Sequence, residues 1–258
     1  KTKIRQCQSA CINRLSIVMK PVLKQYKEEM KQELENILAY WMEFTIDNEN
    51  GGFVGRIDHS NNIYKEAPKG SVLNSRILWT FSSAYHLTRD LAYLNMAERC
   101  FQYLTEYFID KEFGGVYWAV DYQGHPLDTK KQIYALSFAA YGLSEFYRIS
   151  KNEKALQYAI RIYNDIVKHS YDKKNIGYIE ALTRNWSESN DLRLSAKDAN
   201  EKKSMNTHLH VLEAFASLYR VWPTETLKRQ LKELIEIFTN HIISKKNNHL
   251  VLFFDEEW

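Results

Sequence analysis

The stretch Asp47-Asn48-Glu49-Asn50-Gly51-Gly52-Phe53 decides the fold, because two further copies of it follow along the chain. Asp110-Lys111-Glu112-Phe113-Gly114-Gly115-Val116 is the second copy, and Asp172-Lys173-Lys174-Asn175-Ile176-Gly177-Tyr178 is a weaker third. Their nearly equal spacing indicates a repeated supersecondary unit. The aspartate and glycine residues predict a tight turn in each copy, in which glycine supplies a positive φ.

Between these turns the sequence is typical of paired helices. Apolar residues recur at intervals of three and four in the segments 21–45, 72–88, 91–108, 131–149, 152–169, 205–221 and 224–243. The segments that follow the turns contain small residues such as Ser82, Ala139 and Ala216, so we expect them to form an inner layer. Short alternating stretches after the turns predict β-like capping loops. The pattern predicts an all-α fold, and leaves open whether the hairpins close into a ring or stack as an open superhelix.

The composition excludes several classes of protein. The net charge of +3 over 258 residues argues against nucleic acid or a membrane surface as a partner. Cys7, Cys11 and Cys100 make no disulfide framework and no zinc set, so we expect a reduced, cytoplasmic protein without a metal. The sequence has neither an apolar run of spanning length nor the pattern of a signal peptide.

The candidate functional site lies where the inner helices begin. Helices that start after the same kind of loop point in the same direction, so polar residues in their first turns gather at one opening. Leu73-Asn74-Ser75-Arg76 and Met205-Asn206-Thr207-His208 match in chemical type, although the exact register of the helices stays open. The second inner helix is expected to begin at Lys131-Gln132-Ile133-Tyr134. We therefore expect Arg76, Tyr134 and the segment 206–210 to surround a common mouth.

The third inner helix presents several polar side chains on one face. Asn206, His210 and Glu213 are four and three residues apart, so they share that face. His208 lies about 200° from His210 around the helix. The two histidines therefore point in different directions, and we do not expect them to bind zinc as a pair.

The segments around these residues resemble the N-acylglucosamine 2-epimerase family, most closely its cellobiose 2-epimerase branch. The similarity rests on Tyr40-Trp41 with 47–53, and on the segments 69–81, 131–135 and 206–214. It implies an (α/α)6 toroid of helical hairpins, with the site at the mouth formed by the inner helix N-termini. By this resemblance, residues 22–258 form part of such a domain, its C-terminal part lies after Trp258, and residues 1–21 are an N-terminal extension of unknown role.

The resemblance also implies an activity, which needs no cofactor. The family interconverts the gluco and manno configurations at C2 of a reducing-end sugar, by ring opening and proton transfer through a cis-enediol. Arg76 would hold the oxygens at C1 and C2, and His210 would bind the sugar or assist ring opening. Tyr134 and Asn206 would bind hydroxyl groups, with His208 and Glu213 as further substrate-binding candidates.

The same resemblance bears on what the chain lacks and what it binds. The two histidines that serve the family as its acid/base pair would lie after Trp258. The expected partner is a small carbohydrate. A cellobiose-type disaccharide is favoured, mannose and N-acetylmannosamine are the alternatives, and the oligomeric state stays open.

Two other functions compete with the epimerase. An (α/α)6 glycoside hydrolase or lyase would need two carboxyl groups at the scissile bond. Asp47, Asp110 and Asp172 recur at equivalent positions, which indicates a role in the turns instead of a unique acid/base pair. A helical-repeat module without activity would bind a protein or glycan on a concave face. The chemical differences among the first turns of the inner helices favour a single polar mouth instead.

Overall fold

The computed structural model describes the backbone of residues 2–258 and the side chains of residues 21–258. The chain divides into two units, Lys1–Ile46 and Asp47–Trp258. The first unit contains one helix, α1 (Thr2–Phe44). Cys7 and Cys11 lie outside the residues whose side chains are described. Among the described helices, none is long and apolar enough to cross a membrane.

The second unit consists mainly of helices, which confirms the predicted fold class. These are α2 (Ser71–Thr88), α3 (Leu91–Tyr103), α4 (Ile133–Ser150), α5 (Glu153–His169), α6 (Met205–Val221) and α7 (Glu225–Ile237). π-Helical turns at Leu104–Phe108 and Phe238–Ile242 continue α3 and α7. The strands are short and lie in the loops: β1 (Lys69–Gly70), β2 (Ala119–Val120), β3 (Pro126–Asp128), β4 (Lys131–Gln132), β5 (Ala181–Leu182), β6 (Lys203–Ser204) and β7 (Phe253–Phe254). All the strand pairs are antiparallel: β1 with β2, β2 with β3, β4 with β5, and β6 with β7.

Tight links join each inner helix to the outer helix that follows. Arg89 and Lys151 end α2 and α4 in the left-handed region, with φ of 63° and 57°. The next residue in each link then caps the following helix: Asp90 accepts from Ala92 N at 2.9 Å, and Asn152 accepts from Lys154 N at 3.0 Å. Side-chain oxygens at these positions satisfy amide groups that have no partner within the helix. The first two hairpins therefore turn within two residues, and the link between α6 and α7 has three.

The helices form two layers, as the distribution of small residues predicts. In the inner layer α4 lies between α2 and α6, and the outer helices α3, α5 and α7 pack on α2, α4 and α6 respectively. Close packing of α2 and α4 needs Gly142, since a Cβ there would lie 2.6 Å from the Ser75 carbonyl oxygen. Ala139 and Ala140 beside it are fully buried. Small side chains on the central helix thus let its neighbours approach from both sides.

Each Asp-rich turn is joined to the next inner helix by a buried lysine. Lys69 Nζ donates to Asp47 Oδ2 at 2.8 Å and to the Gly51 carbonyl at 2.8 Å. The same arrangement recurs in the second copy of the turn, where Lys131 Nζ lies 2.8 Å from Asp110 Oδ2. In the third copy, Lys203 Nζ lies 3.0 Å from Asp172 Oδ2. All three lysine side chains are completely buried. Neither the pairs nor the role of the lysines is evident from the turn motif alone.

These ion pairs fix where each inner helix begins. A buried ammonium group is costly unless a carboxylate and further acceptors surround it, so the lysine cannot shift along the turn. Each of these lysines opens the short strand that leads directly into an inner helix. The aspartate and lysine are 22, 21 and 31 residues apart in the three copies, so the third loop is the longest. Counting from the lysine therefore aligns the inner helices regardless of loop length.

A fourth turn continues the repeat with different residues. Ser244 N donates to the His249 carbonyl at 2.9 Å, as Asp172 N does to Gly177 at the same distance. Asn248 takes the positive φ, at 58°. Serine and asparagine replace the aspartate and glycine of the earlier turns, which is why the motif does not reveal this copy. The longer third loop also displaces it from the spacing of the first three.

The buried lysines establish the alignment of the inner helices, which the sequence leaves open. Arg76 and His210 each follow the lysine of their repeat by seven residues, so they are equivalent. The chemically similar segments Leu73–Arg76 and Met205–His208 are therefore offset by two positions. Asn74 is 1% exposed and bonds to the Gly70 carbonyl, whereas Asn206 is exposed. Likeness of residue type does not indicate the alignment, because it does not report which residues are buried.

We predict that Lys69→Met lowers the free energy of unfolding by about 3–5 kcal/mol, because it leaves a buried carboxylate without its cation. Urea denaturation measures this change. Lys65→Met is the matched control: Lys65 pairs with Glu49 of the same turn, but both side chains are exposed. The control variant should unfold at nearly the wild-type urea concentration. Equal effects of the two substitutions would contradict the role assigned to the buried pair.

Candidate functional site

The N-terminal halves of α2, α4 and α6 bring three of the candidate side chains together. On α4 and α6, the Tyr134 and His210 rings meet edge to face, with centroids 4.8 Å apart and planes at 86°. Phe138 lies one turn after Tyr134 and contacts both rings, at 5.0 Å from Tyr134 and 4.4 Å from His210. Arg76 of α2 also packs against Phe138, with its Cζ atom 5.4 Å from the centroid of the ring. We call Arg76, Tyr134, Phe138 and His210 the mouth cluster.

The Arg76 guanidinium forms no ion pair with a carboxylate among residues 21–258. Its side chain is exposed, and its guanidinium packs on the face of the Phe138 ring. A guanidinium carries five N–H donors in a planar fork that suits a pair of oxygens. Arg76 therefore has donors available for an anionic or oxygen-rich ligand.

His210 is paired with Glu213 on the same face of α6. Its Nδ1 lies 2.6 Å from Glu213 Oε2. Since an ionised carboxylate can only accept, Nδ1 carries the hydrogen, and in the neutral ring the lone pair is on Nε2. No group in the described part of the chain bonds to Nε2. The pair thus fixes the ring and leaves one nitrogen able to accept a proton.

Tyr134 and Asn206 flank this pair in different ways. Tyr134 is half-buried, and burial raises the pKa of its hydroxyl, an effect that the charge of Arg76 partly opposes. Its hydroxyl therefore keeps its hydrogen near neutral pH. Asn206 is exposed one turn before His210 and lines a cleft of about 350 Å³ beneath the long third loop. The other residues of the cleft include Glu180, Leu192, Asp198, Met205 and Phe253.

The structure does not bring His208 to the mouth. The side chain is completely buried, Nε2 accepts from Tyr178 N at 2.9 Å, and Nδ1 lies 2.6 Å from the Ser204 carbonyl oxygen, to which it donates. Burial lowers the pKa of His208 to about 4, which keeps the ring neutral. Both nitrogens are used by the backbone. His208 thus attaches the third turn to α6 and has no atom left for a sugar.

The three turn aspartates are also excluded as an acid/base pair. Burial raises the pKa of Asp110, but hydrogen bonds from Arg184 and Lys131 outweigh that effect and hold the pKa below its usual range. Asp47 and Asp172 are likewise lowered, because hydrogen bonds from their lysines and the turn amides outweigh burial. These carboxylates stay ionised and paired inside the turns.

Glu180 is a buried acid that the sequence motifs did not identify. It is 5% exposed, Oε2 accepts from the Thr207 hydroxyl at 2.8 Å, and Oε1 has no partner among the described residues. Burial raises the pKa of Glu180 to about 7. A signal was present: the position three residues after the last turn glycine holds Gly55 and Trp118 in the earlier repeats. An acid at that point interrupts an otherwise apolar stretch.

Comparison with known proteins identifies the family. The profile of the N-acylglucosamine 2-epimerase (GlcNAc 2-epimerase) family matches residues 51–258. A cellobiose 2-epimerase from Bacteroides fragilis is 56% identical over 233 residues, which are 90% of this chain and 59% of that protein. One from Dictyoglomus turgidum is 36% identical over 91% of this chain and 60% of its own length. The chain therefore spans about three fifths of the length of these relatives.

A solved structure shows the same fold. The cellobiose 2-epimerase of Bacillus thermoamylovorans superposes with a TM-score of 0.88 at 39% identity, over 91% of this chain and 61% of that one. The fold is thus that of the (α/α)6 proteins. The chain belongs to the N-acylglucosamine 2-epimerase family.

We predict that Glu180→Gln gains stability relative to wild type as the pH rises. Between about pH 4.5 and 7 the folded protein retains the Glu180 proton that the unfolded chain has released. The unfolded state then binds fewer protons, so wild-type stability falls as pH rises through this interval. A shift of this size corresponds to about 3 kcal/mol. Urea unfolding of both proteins at pH 5 and pH 8 measures the difference, and a difference independent of pH would contradict the assignment.

Proposed function

We propose that the protein is a sugar 2-epimerase, which interconverts the gluco and manno configurations at C2 of a reducing-end sugar. The observation that carries this proposal is the mouth cluster. It sets an arginine with uncommitted donors beside a histidine whose tautomer is fixed by Glu213. An enediol mechanism needs both functions: a group that moves protons near neutral pH and a cation for the oxyanion. Family membership and the similar cellobiose 2-epimerases support the same activity.

The mouth cluster suits the opening of the sugar ring. In our proposal His210 Nε2 takes the proton of the O1 hydroxyl while a water molecule donates a proton to the ring oxygen O5, so that the C1–O5 bond breaks and the aldehyde forms. The imidazolium then returns its proton to the hydroxide that is left. Glu213 stabilises the imidazolium formed in this step, because its carboxylate accepts a hydrogen bond from Nδ1, with Oε2 and Nδ1 2.6 Å apart. Tyr134 and Asn206 bind hydroxyl groups and orient the chain that opens. In this role His210 binds the substrate and also acts as a base.

Arg76 acts in the next step. When the C2 proton is removed, the electron pair of the C2–H bond forms a C1=C2 double bond. The π electrons of the C1=O1 group move onto O1, which gives a cis-enediolate. Arg76 donates to O1 and O2, where this negative charge develops, and so lowers the barrier. The proton then returns to C2 on the opposite face. The resemblance assigns the groups that carry the C2 proton to segments after Trp258, and our proposal keeps them there.

A β-1,4-linked disaccharide such as cellobiose is the substrate class we favour. The relatives carry that substrate in their names. The cleft beside Asn206 offers space next to the mouth for a second sugar ring, with Asp198 as a polar group and Phe253 as an apolar one. We also propose that the protein acts in the cytoplasm, in keeping with its buried free thiol at Cys100.

Exchange of the C2 proton tests the proposed function. The full-length gene product is incubated with cellobiose in deuterated water, and the C2 signal is followed by proton NMR. We expect loss of that signal and the appearance of the manno epimer. Release of a new reducing end would indicate a hydrolase instead. Failure of cellobiose, mannose and N-acetylmannosamine alike to exchange would overturn the proposal and favour a binding module.

We predict that Arg76→Lys lowers kcat for C2 exchange by about 10²–10³-fold, the range measured when one oxyanion donor is lost. Lysine keeps the charge but cannot hold two oxygens with a planar fork. Arg161→Lys on the outer helix α5 is the matched control, since Arg161 also packs on an aromatic ring, Tyr158, at 5.9 Å. The control should keep the wild-type kcat. Similar losses of kcat in both variants would contradict a role for Arg76 in the mechanism.

A further inference from the structure

Phe138 holds a position that polar side chains occupy on the two neighbouring inner helices. Counted from the buried lysine of each repeat, Arg76, Phe138 and His210 hold the same position on three adjacent inner helices. Two of the three, Arg76 and His210, are polar residues of the mouth cluster. The middle one is apolar and only 5% exposed. Phe138 is buried to the extent that is typical of a core aromatic residue, but its contacts differ from those of one.

Phe138 contacts both of the polar residues beside it. Arg76 Cζ lies 5.4 Å from the centroid of its ring, within the range of a cation–π attraction. The His210 ring lies 4.4 Å away on the other neighbouring helix, tilted by 39°. Phe146, two turns later on α4, shows the contrast: its ring stacks at 4.8 Å on Phe101 of the outer layer. One phenylalanine of α4 thus packs into the core and the other packs against the mouth.

An aromatic ring holds a catalytic arginine in a way that a carboxylate cannot. A carboxylate would orient the guanidinium by hydrogen bonds, and those bonds would use the donors that the substrate needs. A ring face attracts the cation and leaves all five N–H donors free. In the described part of the chain no carboxylate pairs with Arg76, and its guanidinium packs on the face of the Phe138 ring.

We propose that Phe138 is a positioning residue for the epimerase reaction, holding the Arg76 guanidinium and the His210 imidazole at a fixed separation across the mouth. This inference rests on the proposed function. It assigns to Phe138 no contact with the reacting atoms. Its effect comes through the two residues that do touch the sugar, and it therefore appears in the rate of the chemical step more than in substrate binding.

Phe138→Leu in the full-length protein tests this role, with Phe146→Leu as the matched control on the same helix. We expect Phe138→Leu to lower kcat for C2 exchange at least about tenfold, because small displacements of positioned groups cost that much or more. KM should change less than about threefold. Phe146→Leu should lower the unfolding midpoint and keep kcat. Phe138→Tyr, which retains the ring face, should restore most of the activity.

A second measurement does not depend on activity. The order parameter of the Arg76 Nε–H bond, from ¹⁵N relaxation, reports directly whether the guanidinium is held. It should fall in Phe138→Leu and stay at the wild-type value in Phe146→Leu and Phe138→Tyr. If kcat per folded molecule in Phe138→Leu equals that of Phe146→Leu, the proposal is overturned.

The two measurements separate this proposal from the function on which it rests. If the wild-type protein shows no C2 exchange, the proposed function fails, and the order parameter then decides the role of Phe138 alone. An Arg76 order parameter that stays unchanged in Phe138→Leu overturns the positioning role whatever the activity. A loss confined to Phe138→Leu supports it.

Discussion

The buried pairing of lysine with aspartate, repeated at Lys69, Lys131 and Lys203, is the constraint on which the rest of the structure depends. A charged ammonium group without water must keep its carboxylate and carbonyl partners, so the turn and the strand after it cannot slide past one another. Each turn follows a helix, and each strand leads into the next inner helix. The pairing therefore transmits the register of one hairpin to the next, and loops of unequal length do not disturb it.

This register explains why chemistry can be concentrated at one end of the molecule. Because the inner helices start from equivalent points, a given position after the lysine lies at the same height on each of them. Arg76, Phe138 and His210 share one such position, and Tyr134 and Asn206 share another one turn earlier. Three helices that repeat the same backbone thus present different side chains to one mouth. The long third loop adds the cleft beside Asn206 without moving the helix that follows it.

Much of the fold could be predicted from the sequence, because apolar periodicity and Gly turns are local signals. The helices, the two layers and the turns follow from them. The register of the inner helices relative to one another could not be predicted, because Asn74 and Asn206 look alike in sequence while one is buried and the other is exposed. Burial depends on packing between distant segments, which similarity of residue type does not report. For the same reason His208 was a site candidate by sequence, although both of its nitrogens bond to the backbone.

The decisive measurement is a crystal structure of the full-length protein with a bound reducing disaccharide. We expect the reducing-end sugar to lie at the mouth cluster, with its C1 and C2 oxygens within hydrogen-bond distance of the Arg76 guanidinium and a hydroxyl group at His210 Nε2. The second sugar would lie in the cleft beside Asn206. A disaccharide bound with its reducing end away from Arg76 and His210 would contradict the claim that the shared register builds the catalytic mouth.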